Sequence, residues 1–320
     1  MTYQDDSEVT SETDLRREGV HTCPMCGGAR LAPWRAERAD ARGTSSLLDY
    51  VRCQDCDCRV QTPRVVQSDI GRLYDSSYAP FAGGAGARAP QLVGLGPASS
   101  SALRQHLGRV YTREQQGCKR VLDFGCGSST FVNEARDLGW DTVAADFAES
   151  GLVGAREAGH AVQVVDESFW KWLETQQFDV IRMSHVIEHL YHPGDQVGAL
   201  VASLVPGGVL HVITPDPDGP ACTLLRRHSN FFELVHVTLI PPRSLVSLAD
   251  RLGVAGTTVI PEATTKDLWR SWLLSTGRAA SYEVAAEAPR SRVLQLLLRG
   301  LSAAFAKTGR NDRYHAFIVR

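Results

Sequence analysis

Two pairs of cysteines stand at metal-binding spacing, Cys23-Pro24-Met25-Cys26 and Cys53-Gln54-Asp55-Cys56. Thiolates held close together repel unless a cation neutralises them, and Zn2+ accepts four in a tetrahedral site. Cys23, Cys26, Cys53 and Cys56 are therefore the expected ligands of one structural zinc. The spacer between the pairs is long, which a β-ribbon can absorb. Cys58 is a fifth candidate that would replace Cys56 only with a different local turn. A redox pair and inert buried thiols are the other readings. Four cysteines around zinc leave no position for water, so this centre would not be catalytic.

A second group surrounds Gly125-Cys126-Gly127. The glycines follow the apolar run Val121-Leu122-Asp123-Phe124 and precede a helical stretch. Strand, glycine turn and helix N-terminus form a nucleotide-type cofactor site, because a backbone without Cβ atoms lets a ligand approach closely. Asp146 lies 21 positions after Gly125, the distance at which a carboxylate meets a ribose hydroxyl pair, although a helix cap is the alternative. Asp123, Gly125, Gly127, Asp146, Phe147, Asp166 and His185 are the expected cofactor contacts around the strand ends. Beside Asp166, Glu167 competes for the inward position.

The third group is His185, Glu188, His189 and His236. A hydroxyl acceptor needs a base near its proton, and histidine suits that task at neutral pH. His185 and His236 are the candidate bases, with Glu188 and His189 as secondary candidates; core or capping roles are the alternatives. His185-x-x-Glu188-His189 with His236 also has the ligand types for a second divalent metal, if His185 and His189 share a helical face.

The elements that must position these groups alternate between strand and helix, which implies a parallel sheet with right-handed crossovers. Strands are expected at 120–124, 142–146, 161–165, 178–184, 209–214, 257–260 and 314–319. Helices are expected at 99–116, 130–138, 148–158, 169–174, 194–205 and 243–252, with a short one at 68–74 capped by Ser68. Residues 1–20 read as a disordered tail, 21–62 as the zinc ribbon, and 63–100 as a connector. Tyr74, Tyr78 and Phe81 in that connector either close over the cofactor as an aromatic lid or only pack it onto the next domain. Residues 101–320 form the main domain, with a helical insertion at 261–311. That insertion could line an acceptor pocket, form a homodimer contact, lie on a membrane or simply add a packed layer.

The turn lacks the third glycine of a dinucleotide fingerprint, and no G-K-[ST] occurs, so NAD, FAD and P-loop nucleotides are disfavoured. S-adenosylmethionine, with a ribose, an adenine and no phosphate, is the ligand that remains. Val121–Gly127, Asp146, Phe178–Ile181 with Ser184–His189, and Val205–Gly208 resemble, in order, the class I methyltransferases that use this cofactor. Asp312–Val319 resembles their reversed last strand, and the ribbon resembles a bacterial subgroup acting on sugars and natural products. The resemblance implies a Rossmann-like seven-stranded α/β sheet behind a small zinc ribbon, and methyl transfer to an oxygen, less readily a carbon, of a small molecule. Asp57-Cys58 departs from the Gly-Leu usual after the second cysteine pair.

Composition narrows the alternatives. A net charge of -2 gives no electrostatic footprint for nucleic acid, which disfavours an RNA methyltransferase behind a zinc ribbon. The intact glycine turn with Asp146 disfavours a non-catalytic binding protein. No apolar run approaches the roughly 18 residues of a membrane span, and the polar start is not a secretory signal. A cytoplasmic protein with thiol or metal-bound cysteines is expected.

Overall fold

The computed structural model describes residues 15–39, 46–73, 100–111, 119–225, 228–229, 231–262, 266–276, 278, 291–309 and 311–320. The aromatic segment 74–81, Tyr78 included, and residues 1–14 lie outside the described residues.

In chain order the strands are β1 (Arg17–Glu18), β2 (Leu31–Ala39), β3 (Ser46–Cys53), β4 (Arg59–Gln61), β5 (Arg64–Val65), β6 (Arg120–Phe124), β7 (Asp141–Asp146), β8 (Ala161–Val164), β9 (Phe178–Ser184), β10 (Leu204–Pro215), β11 (Thr238–Leu239), β12 (Gly256–Glu262) and β13 (Arg313–Val319). The helices are α1 (Gln67–Ile70), α2 (Ser101–Tyr111), α3 (Thr130–Asp137), α4 (Glu149–Glu157), α5 (Glu167–Leu173), α6 (Pro193–Ala202), α7 (Pro220–Leu224), α8 (Pro242–Arg251), α9 (Lys266–Ser275) and α10 (Arg292–Lys307).

Seven strands form the main sheet in the order β12-β13-β10-β9-β6-β7-β8. β10, β9, β6, β7 and β8 run parallel, whereas β13 is antiparallel to β10 and β12. The parallel strands are continuous apolar runs because both faces are covered: Val121, Leu122, Phe124, Ile181, Met183, Leu210 and Val212 are all buried. The strand order reverses between β6 and β9, which opens a crevice at their carboxyl ends where α/β sheets bind ligands. All seven strands expected from sequence are present. The expected helix 194–205 stops at Ala202, because Leu204 already pairs with Phe178.

The ribbon sheet runs β11-β4-β3-β2, so one edge strand, Thr238–Leu239, is contributed from beyond β10 of the main sheet. Cys23, Met25, Cys53, Cys56 and Cys58 belong to the same apolar core as Leu122, Phe124 and Ile181. Arg59, 2% exposed, bonds to Asp57 and at 2.7 Å to Asp218; Arg243 pairs with both carboxylates. These ions join the turn beside Cys56 to the loop after β10 and to the start of α8.

Two further expectations change. Residues 15–20, expected to belong to a disordered tail, are ordered: Arg17–Glu18 pairs with Arg64–Val65, Leu15 is buried, and Arg16 bonds to Asp69 at 2.6 Å. Ser68 does not cap the short helix. Val66 is the N-cap residue and offers no side-chain acceptor, while the Ser68 hydroxyl accepts from Arg16 at 3.1 Å.

Candidate active site

The turn after β6 is held by its neighbour β7. The Gly125 and Cys126 N–H groups both donate to the Ala145 carbonyl, at 2.7 and 3.0 Å. Gly125 has φ +81°, and a Cβ there would collide with Val186, the residue after His185. Asp146 then locks the turn: one carboxylate oxygen accepts from Gly127 N–H at 3.0 Å and the other from Ala148 N–H at 3.1 Å. Gly151 makes room for it, since a Cβ at that position would meet the Asp146 carboxyl carbon at 2.7 Å. Burial raises the Asp146 carboxyl from its ordinary value, and the Gly127 and Ala148 N–H groups oppose that rise.

Asp123, fully buried on β6, accepts from Arg182 at 2.9 Å through Oδ1. Its Oδ2 has no protein partner among the described residues, and neither has the buried Ser129 hydroxyl on the same turn. Phe147 is 45% exposed, its ring edge-on to Phe124 with centroids 5.4 Å apart. Asp166 lies at the same edge, exposed, and caps α5 by accepting from Ser168 and Phe169 N–H at 2.8 and 3.0 Å. A cradle without Cβ atoms, unsatisfied buried acceptors, a locked carboxylate and an exposed aromatic ring fit an adenosyl cofactor.

The histidines sort themselves by their partners. His185 has φ +55° and lies in a sharp turn rather than on a helix, so it shares no helical face with His189. Arg313 donates to its Nε2 at 2.9 Å, which puts the ring proton on Nδ1, 3.2 Å from Glu188. Both nitrogens of His185 are thus engaged, and the base expected there has no lone pair to offer. Glu188 is buried; its other oxygen accepts from Thr214 at 2.9 Å. Burial alone would raise the Glu188 carboxyl, but the His185 hydrogen bond helps hold it down, at about 2.

His189 and His236 differ from His185. The Nδ1–H of His189 donates to the Val235 carbonyl at 3.0 Å, and that of His236 to the Phe231 carbonyl at 2.7 Å. Each neutral ring therefore carries its lone pair on Nε2. The two rings lie edge to face, with centroids 4.8 Å apart. Ligating atoms of Glu188, His189 and His236 all fall within 4.8 Å of one another; His185 is not part of that group.

Sequence reasoning missed Arg313 and Asp267. Arg313 is clamped by buried Asp267 of α9 at 2.7 Å and by a second, shorter bond, so a chain runs Asp267–Arg313–His185–Glu188–Thr214. Strand direction was the available signal. An antiparallel strand begins where its parallel neighbours end, and Arg313 pairs with Pro215, the last residue of β10. Next to it, burial and Asp267 push the Asp312 carboxyl up to about 7. A native group that binds its proton more tightly than the unfolded chain makes stability fall as pH rises from about 4 to about 7. Asp312→Asn keeps an acceptor for Ala221 N–H and removes that dependence. Urea unfolding at pH 5 and pH 8 should show the variant gaining a few kcal/mol on wild type at the higher pH, with an upper bound of about 1.4 kcal/mol per pH unit.

The cysteine centre matches its expected ligand set. Cys23 and Cys56 sulfurs lie 3.6 Å apart, as do those of Cys26 and Cys53, and all four fall within 4.8 Å. Sulfurs at about 2.3 Å from a tetrahedral zinc would be separated by about 3.8 Å. Cys58 is outside the group; its thiol faces the Arg59 and Leu239 carbonyls. The donor set therefore fits a structural zinc.

Residues 99–259, half of the chain, match the family described as "Methyltransferase domain". An uncharacterised protein of Synechococcus sp. is 27% identical over 164 residues, covering 47% of this chain and 37% of its own length. A ubiquinone biosynthesis O-methyltransferase of Roseobacter denitrificans is 34% identical over 95 residues, covering 28% and 38% respectively. The chain thus spans under two-fifths of the length of these relatives. Among solved structures, a SAM-dependent methyltransferase from Archaeoglobus fulgidus is 20% identical with a TM-score of 0.46, covering 69% of this chain and 95% of its own. A plantazolicin methyltransferase is 13% identical with a TM-score of 0.44, covering 68% and 83%. By its matched residues and its seven-stranded sheet, the chain belongs to the methyltransferase-domain family.

Proposed function

We propose that the chain transfers a methyl group from S-adenosylmethionine to a hydroxyl oxygen of a small-molecule acceptor, a sugar or a secondary metabolite. When bound, the cofactor supplies an electrophilic methyl group on its sulfonium, so the protein mainly has to align the acceptor. Gly125 and Gly127 give the backbone room, and Asp146 holds the turn with one lone pair left on each oxygen for ribose hydroxyls. The unsatisfied Asp123 Oδ2 suits the ammonium group, and Phe147 offers a face for adenine. His236 is the general base. The observation that carries this reading is its Nδ1–H, fixed on the Phe231 carbonyl, which leaves the Nε2 lone pair beside Glu188. The O-methyltransferase name of the Roseobacter relative supports oxygen over carbon. We assign the zinc to Cys23, Cys26, Cys53 and Cys56.

A second reading uses the same cluster as a divalent metal site of Glu188, His189 and His236, which would orient and acidify a hydroxyl directly. Calorimetry with S-adenosylhomocysteine, alongside metal analysis, tests both. One equivalent of nucleoside and one of zinc supports the base. A second metal equivalent that disappears in His189→Ala supports the metal. No heat with S-adenosylmethionine or its demethylated product would reject methyl transfer altogether.

A further inference from the structure

Two stretches remote in sequence, 50–61 and 233–239, meet at the ribbon edge, and the second of them carries His236. Thr238 and Leu239 complete the ribbon sheet by pairing with Val60 and Arg59. One residue further, Gln61 N–H donates to the Val237 carbonyl at 3.0 Å. The Tyr50 hydroxyl, from β3, donates to the backbone carbonyl of His236 itself at 3.2 Å. Gln61 Nε2 reaches both that hydroxyl and the Glu233 carbonyl, each at 3.3 Å. Tyr50 and Gln61 are 1% and 0% exposed, so these bonds are shielded from competing water. Phe231 and Phe232 pack in one apolar cluster with Tyr50 and Leu48.

We infer that the zinc ribbon is a wall of the acceptor site, in which Tyr50 and Gln61 act as positioning residues that hold His236. This rests on the methyl-transfer reading for the purpose of the wall, but the coupling itself is a property of the fold. A ribbon serving only as an appendage would bond to the main domain away from the site chemistry. Here its second and third strands hold the backbone on both sides of the candidate base. The zinc knuckles are anchored independently, by Ser244 to the Cys56 carbonyl at 2.6 Å and Arg251 to the Met25 carbonyl at 3.0 Å. Loss of the Tyr50 hydroxyl should therefore loosen the His236 segment without releasing the metal centre.

The test uses the zinc-loaded full chain and its Tyr50→Phe and Gln61→Met variants, with S-adenosylhomocysteine as the probe. Loss of one buried hydrogen bond is expected to speed amide exchange across residues 233–239 by about 2- to 10-fold. Exchange across 121–146, zinc content and nucleoside affinity should stay at wild-type values. In 15N-histidine spectra, His236 should change from a single Nδ1–H tautomer to a mixture. Unchanged exchange across 233–239 in both variants, or an increase spread equally over 121–146, would overturn the inference. If wild type failed to bind the nucleoside, the methyl-transfer reading would fall, while the exchange data would still decide the coupling.

Discussion

His236→Gln is expected to lower the rate of methyl transfer by about 10²–10⁴-fold, the range for removal of a positioned general base. Glutamine preserves polarity and approximate size but cannot take a proton. His236 contacts backbone carbonyl on one side and the Glu188 cluster on the other, and has no bond to the glycine turn. Affinity for S-adenosylhomocysteine should therefore remain within about twofold, well below the tenfold that 1.4 kcal/mol would produce. The readout is label transfer from S-adenosylmethionine to the acceptor found by screening sugars and phenols. His185→Gln serves as the contrast. Because Arg313 already occupies His185 Nε2, its loss removes an organising bond rather than a base, and the rate should fall less than for His236. A loss below tenfold in His236→Gln, or a greater loss in His185→Gln, would transfer the base role elsewhere.

That contrast marks where sequence reasoning stopped. The sheet was legible because its strands are short apolar runs that alternate with helical stretches. The zinc ligands were legible because sequence-local spacing fixes them: Cys23 and Cys26 sit on one turn, as do Cys53 and Cys56. His185 and His236 could not be ranked, because the difference lies in partners remote in sequence. Arg313 reaches His185 from 128 positions away, and Tyr50 reaches the His236 carbonyl across 186. The Ser68 cap failed for a local reason, since the helix begins one residue earlier than the hydroxyl. Composition predicts a disordered tail but does not register that Leu15 is buried and that Arg16 finds its partner in Asp69.

The same remote bonding explains why the proposed acceptor side draws on several chain regions. Of the expected cofactor contacts, Asp123, Gly125, Gly127, Asp146 and Phe147 lie within residues 121–151, in a geometry set by one turn and one carboxylate. The proposed acceptor side would need β13 to deliver Arg313, the ribbon to hold residues 231–239, and α9 to supply Asp267. Cofactor and acceptor halves should accordingly respond to mutation independently, which the last expected result uses.

Asp146→Asn is expected to weaken S-adenosylhomocysteine binding by roughly 10- to 100-fold, corresponding to about 1.4–2.8 kcal/mol. The carboxylate accepts one N–H on each oxygen, from Gly127 at 3.0 Å and Ala148 at 3.1 Å. An amide has one accepting end and one donating end, so either orientation sets an NH2 group against a backbone N–H. A buried donor left unsatisfied costs about 1–3 kcal/mol, and the turn can escape only by shifting Gly127 away from its bound geometry. Asparagine still accepts from a ribose hydroxyl, so its effect reports the turn. Asp146→Ala removes both functions, and any loss beyond that of asparagine measures the direct ribose contact. Calorimetric titration of both variants separates the two contributions, with thermal unfolding run in parallel to exclude global collapse. Affinity within threefold of wild type in Asp146→Ala would remove this residue from the cofactor site and leave it as a structural lock on the turn.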